Sequence, residues 1–330
     1  MTVSIIVPAY NSAAYLADAL QSLRVQTEPD IEIIVVNDES TDDTLRIAET
    51  HAAQDARIRV FTKPNTGTPA ASRNYGLRAA RGEYVTFLDA DDLYHPEKIA
   101  LQLQALQKYP ALDVVFCDVV QFTTDPYDPN NACYLRDRNF LNVAAAHLEK
   151  LTGDLYACTG SFYGFMSTRF TCLSTQGVFM RRRVLQQEAV WFPENVVIGE
   201  DIDLWHRLAQ RTKIGYINRA LAYYRHHEAS ITRNSELAVR GAITAHSANL
   251  ERGRDVFSDE EVATLRRMLA GHYSSLAYLR FLALGMRDAR SCYQQARGYD
   301  PTVFSRIAYL KTFMPKTLVK ILWRQQRRGF

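Results

Sequence analysis

No apolar run in this 330-residue sequence approaches the ~20 residues that a membrane-spanning helix needs, and the opening VSIIVP is far too short. No basic stretch precedes it, as a secretory leader would require, so the sequence predicts a cytoplasmic protein. The five cysteines, 117, 133, 158, 172 and 292, are odd in number and include no C-x-x-C pair. That argues against a disulfide framework and a zinc site, and predicts reduced packing residues. Glycine is missing from PAYNSAAY, the loop after the first apolar run, and no G-x-G-x-x-G follows any strand-like segment. These absences exclude a dinucleotide-binding dehydrogenase and argue against a nucleotidylyltransferase with its Gly-rich phosphate loop. Internal repeats and low-complexity segments are also absent. The last thirty residues lack acid altogether: they hold Arg306, Lys311, Lys316, Lys320, Arg324, Arg327 and Arg328, while the other 300 carry 32 basic against 36 acidic side chains. The net charge of +3 is therefore a property of the tail, and nucleic acid is not an expected partner.

At 47% hydrophobic and 23% charged the chain is globular, and its length predicts a large catalytic domain followed by a smaller C-terminal unit. The first 120 residues alternate strand and helix. Strands are expected at Val3–Pro8, Ile31–Val36, Ile58–Phe61, Tyr84–Leu88 and Asp113–Val120. Between them fall a helix with Leu16, Leu20 and Leu23 on one face, a helix opened by a capping-box-like Ser40 and Asp43, and helices over Pro69–Arg81 and Pro96–Lys108. Such an order implies a mostly parallel sheet with helices on both faces. Residues 123–170 break the pattern and are expected to contain one helix near 140–151. A strand is expected at Leu173–Met180, a helix opening at GEDIDLWHRLAQR and a last strand at Ala220–Arg225; from about 234 the pattern is helical, with a joint at 299–301.

Ligands of open α/β sheets bind beyond the carboxyl ends of the strands, and there the polar clusters PAYN, NDES, KPNTGTPAASRN and DADD fall. Asp89, Asp91 and Asp92 are costly together unless a cation sits beside them, and an all-oxygen set suits Mg²⁺ or Mn²⁺. The same acids would equally serve to start the following helix. Asp38 is positioned to accept a hydrogen bond from a base edge or ribose, or to be a loop residue; Arg73 to pair with a diphosphate, or to lie on the surface. In GEDIDLWH, Trp205 stands one turn after Asp201, an arrangement for holding a sugar beside a base or simply a charged helix start over a core Trp. Phe162, Tyr163 and Phe165 are expected to shape an acceptor pocket, and His226 and His227 to be metal ligands or ordinary strand-end residues.

The series VSIIVPAYN, IIVVNDESTDDT, NTGTPAASRNYGLRAARGEYVTFLDADD, GEDIDLWHRL and YYRHHEASIT resembles the family 2 glycosyltransferases of GT-A fold over roughly residues 1–232. The resemblance implies a mixed, mostly parallel α/β sheet flanked by helices, with a catalytic domain over 1–232 and a helical region over 233–330. Residues 1–120 would be the nucleotide-binding half and 121–232 the acceptor-binding half. Carried over by position, Pro8, Tyr10, Asp38 and Arg73 would meet the nucleotide, Asp89 the ribose and the metal's water shell, Asp91 the Mn²⁺ or Mg²⁺, and His227 the metal or diphosphate. Asp201 would be the base, with Glu200 beside it. Asn37 departs from the Asp-Asp pair common there, leaving Asp38 to read the base, and Q-x-x-R-W is absent, which argues against a processive synthase.

The expected partners are a nucleotide-sugar donor, a UDP-sugar first, and a glycan or lipid-linked glycan acceptor of cell-surface polysaccharide assembly; a homo-oligomer is compatible with the sequence. A sugar-nucleotide-binding scaffold without turnover is the alternative from another class. Residues 311–330 resemble an interfacial helix that contacts anionic membrane, with packing onto the catalytic domain as the other reading.

Overall fold

The run Val3–Ala9 is buried along its whole length, as a strand covered on both faces must be, and its β-branched residues suit that place. In the computed structural model, which describes residues 3–186 and 191–317, it is the first of eleven strands in one sheet. They are β1 (Val3–Ala9), β2 (Ile31–Asn37), β3 (Ile58–Thr62), β4 (Tyr84–Phe87), β5 (Leu93–Tyr94), β6 (Val114–Phe122), β7 (Ala132–Cys133), β8 (Leu148–Thr152), β9 (Leu155–Cys158), β10 (Val178–Arg181) and β11 (Ile214–Arg225). The order is β3-β2-β1-β4-β10-β6-β11-β9-β8, with β5 pairing β11 and β7 pairing β6. β1 to β4 are mutually parallel, as are β6 and β11; β10 runs antiparallel between β4 and β6. One core lies on each face: Leu16, Leu20 and Leu23 pack with Ile5 and Ile33 on one side, Leu77, Phe87, Phe116 and Trp205 with Ile6 and Val36 on the other.

The helix Pro69–Ala79 packs against β1 so closely that a Cβ on Gly76 would stand 2.4 Å from Ile6 Cγ2. Glycine there lets the helix, and Arg73 on it, lie tight on the sheet.

The chain divides into two compact units, Met1–Ser230 and Ile231–Phe330. The second unit is helical, built on Ser235–Arg252, Asp259–Leu282 and Met286–Tyr299, and the Ser258–Glu261 capping box starts the longest of these. All five cysteines are free. Among the described residues no helix is long and apolar enough to cross a membrane.

Three local expectations need correction. The helix near 140–151 is only Phe140–Val143, followed by the β8–β9 hairpin, whose turn is made by Gly153 at φ 49°. The strand expected from Leu173 begins at Val178, because a 3₁₀ turn, Thr175–Gly177, precedes it. Ser40 and Asp43 form no capping box: the helix is Thr44–Gln54, and Ser40 Oγ accepts the Asn11 N–H at 3.1 Å, tying the second loop to the first.

Candidate active site

β1 lies between β2 and β4, a point where chain connections diverge, and open α/β sheets bind their ligands beyond the carboxyl ends at such a point. Ladder pairing of β1 with β4 ends at Ile6–Phe87, and the Ile6 carbonyl still accepts the Leu88 N–H at 3.0 Å. Pro8, two residues on and buried, faces the same side, where a missing N–H costs nothing. Tyr10 follows, half exposed. Asp38, at the end of β2, is buried at 5% exposure, and its carboxylate is paired with Lys63 Nζ. Lys63 also donates to the Pro64 carbonyl at 2.7 Å and to Thr66 Oγ1 at 3.1 Å.

The DADD cluster forms a tight turn after β4, in which the Asp92 N–H donates to the Asp89 carbonyl at 3.0 Å. Asp89 Oδ1 accepts Arg73 Nη2 at 2.7 Å, and Asp91 Oδ2 stands 2.8 Å from His227 Nε2. Asp92 Oδ1 accepts the Arg225 N–H at 2.9 Å, while its other oxygen is buried without a partner. Tyr15 packs against the His227 ring, the centroids 4.4 Å apart and the planes tilted by 37°, and the Arg225 guanidinium lies over Tyr15 and Phe122. Burial, then the Asp89 charge, holds the Asp91 carboxyl above its ordinary range in spite of His227. Burial and the two neighbouring acids raise Asp92 further. The following helix is Lys98–Lys108 and has no acid in its first turn, so these aspartates are not its start. Arg73, His227 and Arg225 meet part of their charge, and one Asp92 oxygen stays without a partner.

The second acidic pair opens the helix Glu200–Arg211, preceded by Gly199 at φ 90°, a backbone state that favours glycine. Glu200 Oε1 accepts Arg73 Nη1 at 2.5 Å, so one buried guanidinium bridges Asp89 and Glu200. The guanidinium also lies 5.4 Å from the Phe192 ring centroid. Burial alone would lower the Arg73 pKa, but Asp89, Glu200 and Asp201 together hold it above its ordinary value. Burial pushes Glu200 up to about 7, with Asp201 adding to the effect and Arg73 opposing it. Asp201 is held at both oxygens: Oδ2 accepts Thr175 Oγ1 at 2.9 Å and Oδ1 the Ile202 N–H at 2.8 Å. Asn74, on the same helix as Arg73, clamps the approach to this pair by exchanging hydrogen bonds with the Phe192 backbone and donating to Glu194.

Several expectations change. Arg73 is not a surface residue; it is 3% exposed and shared between two carboxylates. Trp205 is no sugar platform, because it is wholly buried against Phe87 and Phe192. Phe162, Tyr163 and Phe165, expected at an acceptor pocket, are buried, Phe162 and Phe165 in the core cluster around Phe116. Lys63, Thr175, Arg225 and Tyr15 went unnoticed in the sequence. Lys63 follows a strand and Arg225 ends one, so both carried a signal of position; Thr175 and Tyr15 carried none.

Residues 4–167 match the family model described as Glycosyl transferase family 2. An uncharacterized glycosyltransferase of Rickettsia felis is 32% identical over 225 residues, 68% of this chain and 33% of its own length. Glycosyltransferase GlyG of Streptococcus pneumoniae is 36% identical over 138 residues, 42% of this chain and 45% of its own. The chain thus spans about a third of the first relative and under half of the second. S. aureus TarS 1–349 in complex with UDP-GlcNAc superposes with a TM-score of 0.62 at 19% identity, covering 94% of this chain and 90% of that one. The mannosyltransferase PcManGT of Pyrobaculum calidifontis, in complex with GDP-Man and Mn²⁺, gives 0.56 at 17%, covering 90% and 75%. Family model, relatives and fold agree with the strand-end motifs: this chain belongs to glycosyl transferase family 2 and has the GT-A fold.

Proposed function

We propose that this protein is an inverting glycosyltransferase that moves a sugar from a nucleoside-diphosphate donor, a UDP-sugar first, to a hydroxyl of a glycan or lipid-linked glycan. The observation that carries this reading is the single guanidinium, Arg73, joining the DADD carboxylates to the Glu200–Asp201 pair at one edge of the sheet. Donor-binding acids and a base beside an acceptor site are the two halves that such a transfer needs. Tyr10 offers its exposed ring to the base, and Asp38, steadied by Lys63, accepts an N–H from it. Uracil and guanine present such an N–H and cytosine does not, which disfavours CMP-sugars. The UDP-GlcNAc bound by TarS and the GDP-Man bound by PcManGT fit that choice.

The residues at the DADD turn fit a hard divalent cation, Mn²⁺ or Mg²⁺: Asp92 keeps a buried oxygen without a partner, and Asp91 and Asp89 are each about a third exposed. Among the described residues no three His, Cys, Asp or Glu form a complete cage, so the diphosphate would supply the remaining oxygens. Asp91 would hold the ion, with Asp89 and His227 beside it. When bound, the ion supplies positive charge to a leaving diphosphate. The protein's own residues do the rest. Asp201 takes the acceptor hydroxyl proton, and attack from the face opposite the leaving group inverts the anomeric centre. Glu200 and Asp89, fixed by Arg73, keep the two halves in register.

A thermal-shift series with UDP-, GDP- and dTDP-sugars tests donor and metal together. At a hundred times Kd a ligand of the folded state adds about 2.7 kcal/mol, so a UDP-sugar with Mn²⁺ should raise Tm by several degrees, and the rise should vanish in EDTA and in Asp91→Ala. A full shift in EDTA, with metal removal verified, would return the DADD turn to a structural role.

A peripheral membrane contact through 311–330 would bring this site to lipid-linked acceptors. Residues from Leu318 on lie outside the described residues; within 311–317 Phe313 is exposed, as are Lys311 and Lys316. Each basic residue near an anionic surface adds about 1 kcal/mol. Full-length protein should co-sediment with anionic vesicles at low salt and a 1–310 truncation should not; equal recovery of both would sink the contact.

A further inference from the structure

We propose that Thr175 is a positioning residue for the Asp201 carboxylate, an inference that rests on Asp201 being the base. The helix that carries Asp201 begins at Glu200, straight after the left-handed Gly199, so the carboxylate sits in a first turn where the backbone alone does not fix its side chain. Two hydrogen bonds do. The Ile202 N–H takes Oδ1 at 2.8 Å, and Thr175 Oγ1 donates to Oδ2 at 2.9 Å. The first comes from Asp201's own neighbour and moves with the helix. The second comes from another element and ties the carboxylate to the sheet.

That element is rigid. Thr175 opens the 3₁₀ turn Thr175–Gly177 and is buried at 4% exposure. The Gly177 carbonyl accepts Gln102 Nε2 at 2.8 Å, and a Cβ on Gly177 would stand 2.7 Å from Ser174 Oγ and 3.1 Å from the Cys117 carbonyl, so the turn lies flat on β6. Val178, next in the chain, receives Thr86 Oγ1 on its carbonyl at 2.5 Å, and Thr86 belongs to β4, the strand that ends at the DADD turn. One run of bonded residues therefore fixes Asp201 against the strand that presents Asp89 and Asp91. Each carboxylate oxygen has two lone pairs, and the hydroxyl uses one of those on Oδ2, leaving the carboxylate able to accept a proton in a set direction. Near-attack geometry tolerates little wander, and a base free to rotate loses turnover without losing donor binding.

The test measures kcat, donor KM and Tm for Thr175→Val and Thr175→Ser, alone and in an Asp201→Asn background. Valine keeps the shape and removes the hydroxyl; Thr175→Ala gives the same readout should the second methyl not fit. The expected result for Thr175→Val is a kcat loss of roughly 10- to 100-fold, the range spanned by a hydrogen bond to a charged group, with donor KM and Tm held, and recovery by serine. In the Asp201→Asn background valine should cost nothing more, because the two residues act as one unit. Wild-type kcat in Thr175→Val, no recovery by serine, or an equal loss in both backgrounds would overturn the proposal while leaving Asp201 as the base. Full turnover by Asp201→Asn alone would overturn the base assignment, and this proposal with it.

Discussion

Asp201→Asn is expected to cut turnover by roughly 10²–10⁴-fold, the contribution of general-base catalysis, while donor affinity survives. The amide keeps the size of the side chain: its oxygen can still accept the Ile202 N–H while its NH2 donates to the Thr175 hydroxyl, so the fold around it should persist. What it loses is basicity. Steady-state kinetics with saturating donor, paired with donor binding by calorimetry, separate the two quantities. Wild-type turnover would move the base to Glu200 or Asp203, the other acids of that first turn.

Arg73→Ala is expected to lower stability by about 3–5 kcal/mol and to abolish transfer, because it strips the counter-charge from a buried Glu200 and from Asp89 at once. Denaturant unfolding reads this as a fall in midpoint. Glu200 carries its folded pKa at about 7, above its ordinary 4.5, so its protonation favours the fold at low pH and that contribution is lost as pH rises through about 7. Arg73 holds this carboxyl down, so its loss pushes the Glu200 pKa higher still; the Arg73→Ala deficit should therefore be smallest below about pH 7 and grow as pH rises above it. Adding Glu200→Gln should restore part of the midpoint, since no charge would then be buried beside an empty place. A midpoint unchanged at neutral pH would mean that solvent or a cation reaches both carboxylates.

The parts of the site that were legible before the structure are those written in short runs. β1, β2 and β4 announce themselves as apolar segments, and the residues that end them, Tyr10, Asp38 and Asp89, stand where a chain leaving a parallel sheet must stand. Residues 140–152 misled because Leu148 and Leu151 suit a helix face as well as a hairpin, and only the left-handed Gly153 decides between them. The aromatic residues 162–165 misled for another reason: a ring that lines a pocket and a ring that fills a core have the same chemistry, and burial separates them only once the chain is packed.

Sequence by itself determined the alternation of strand and helix, the sheet edge on which function gathers, and the acids gathered there, since all of these follow from local periodicity and from where apolar runs stop. Tertiary structure alone decided what those acids do to one another. Arg73, Asp89 and Glu200 come from three distant segments, as do Thr175 and Asp201, and Asp91 and His227. No spacing rule links such positions, because their distances are set by how a helix packs on a strand, through contacts such as Gly76 on Ile6. Charge pairing in a low-dielectric interior depends on ångströms of separation, and that separation exists only after the sheet has brought the segments together.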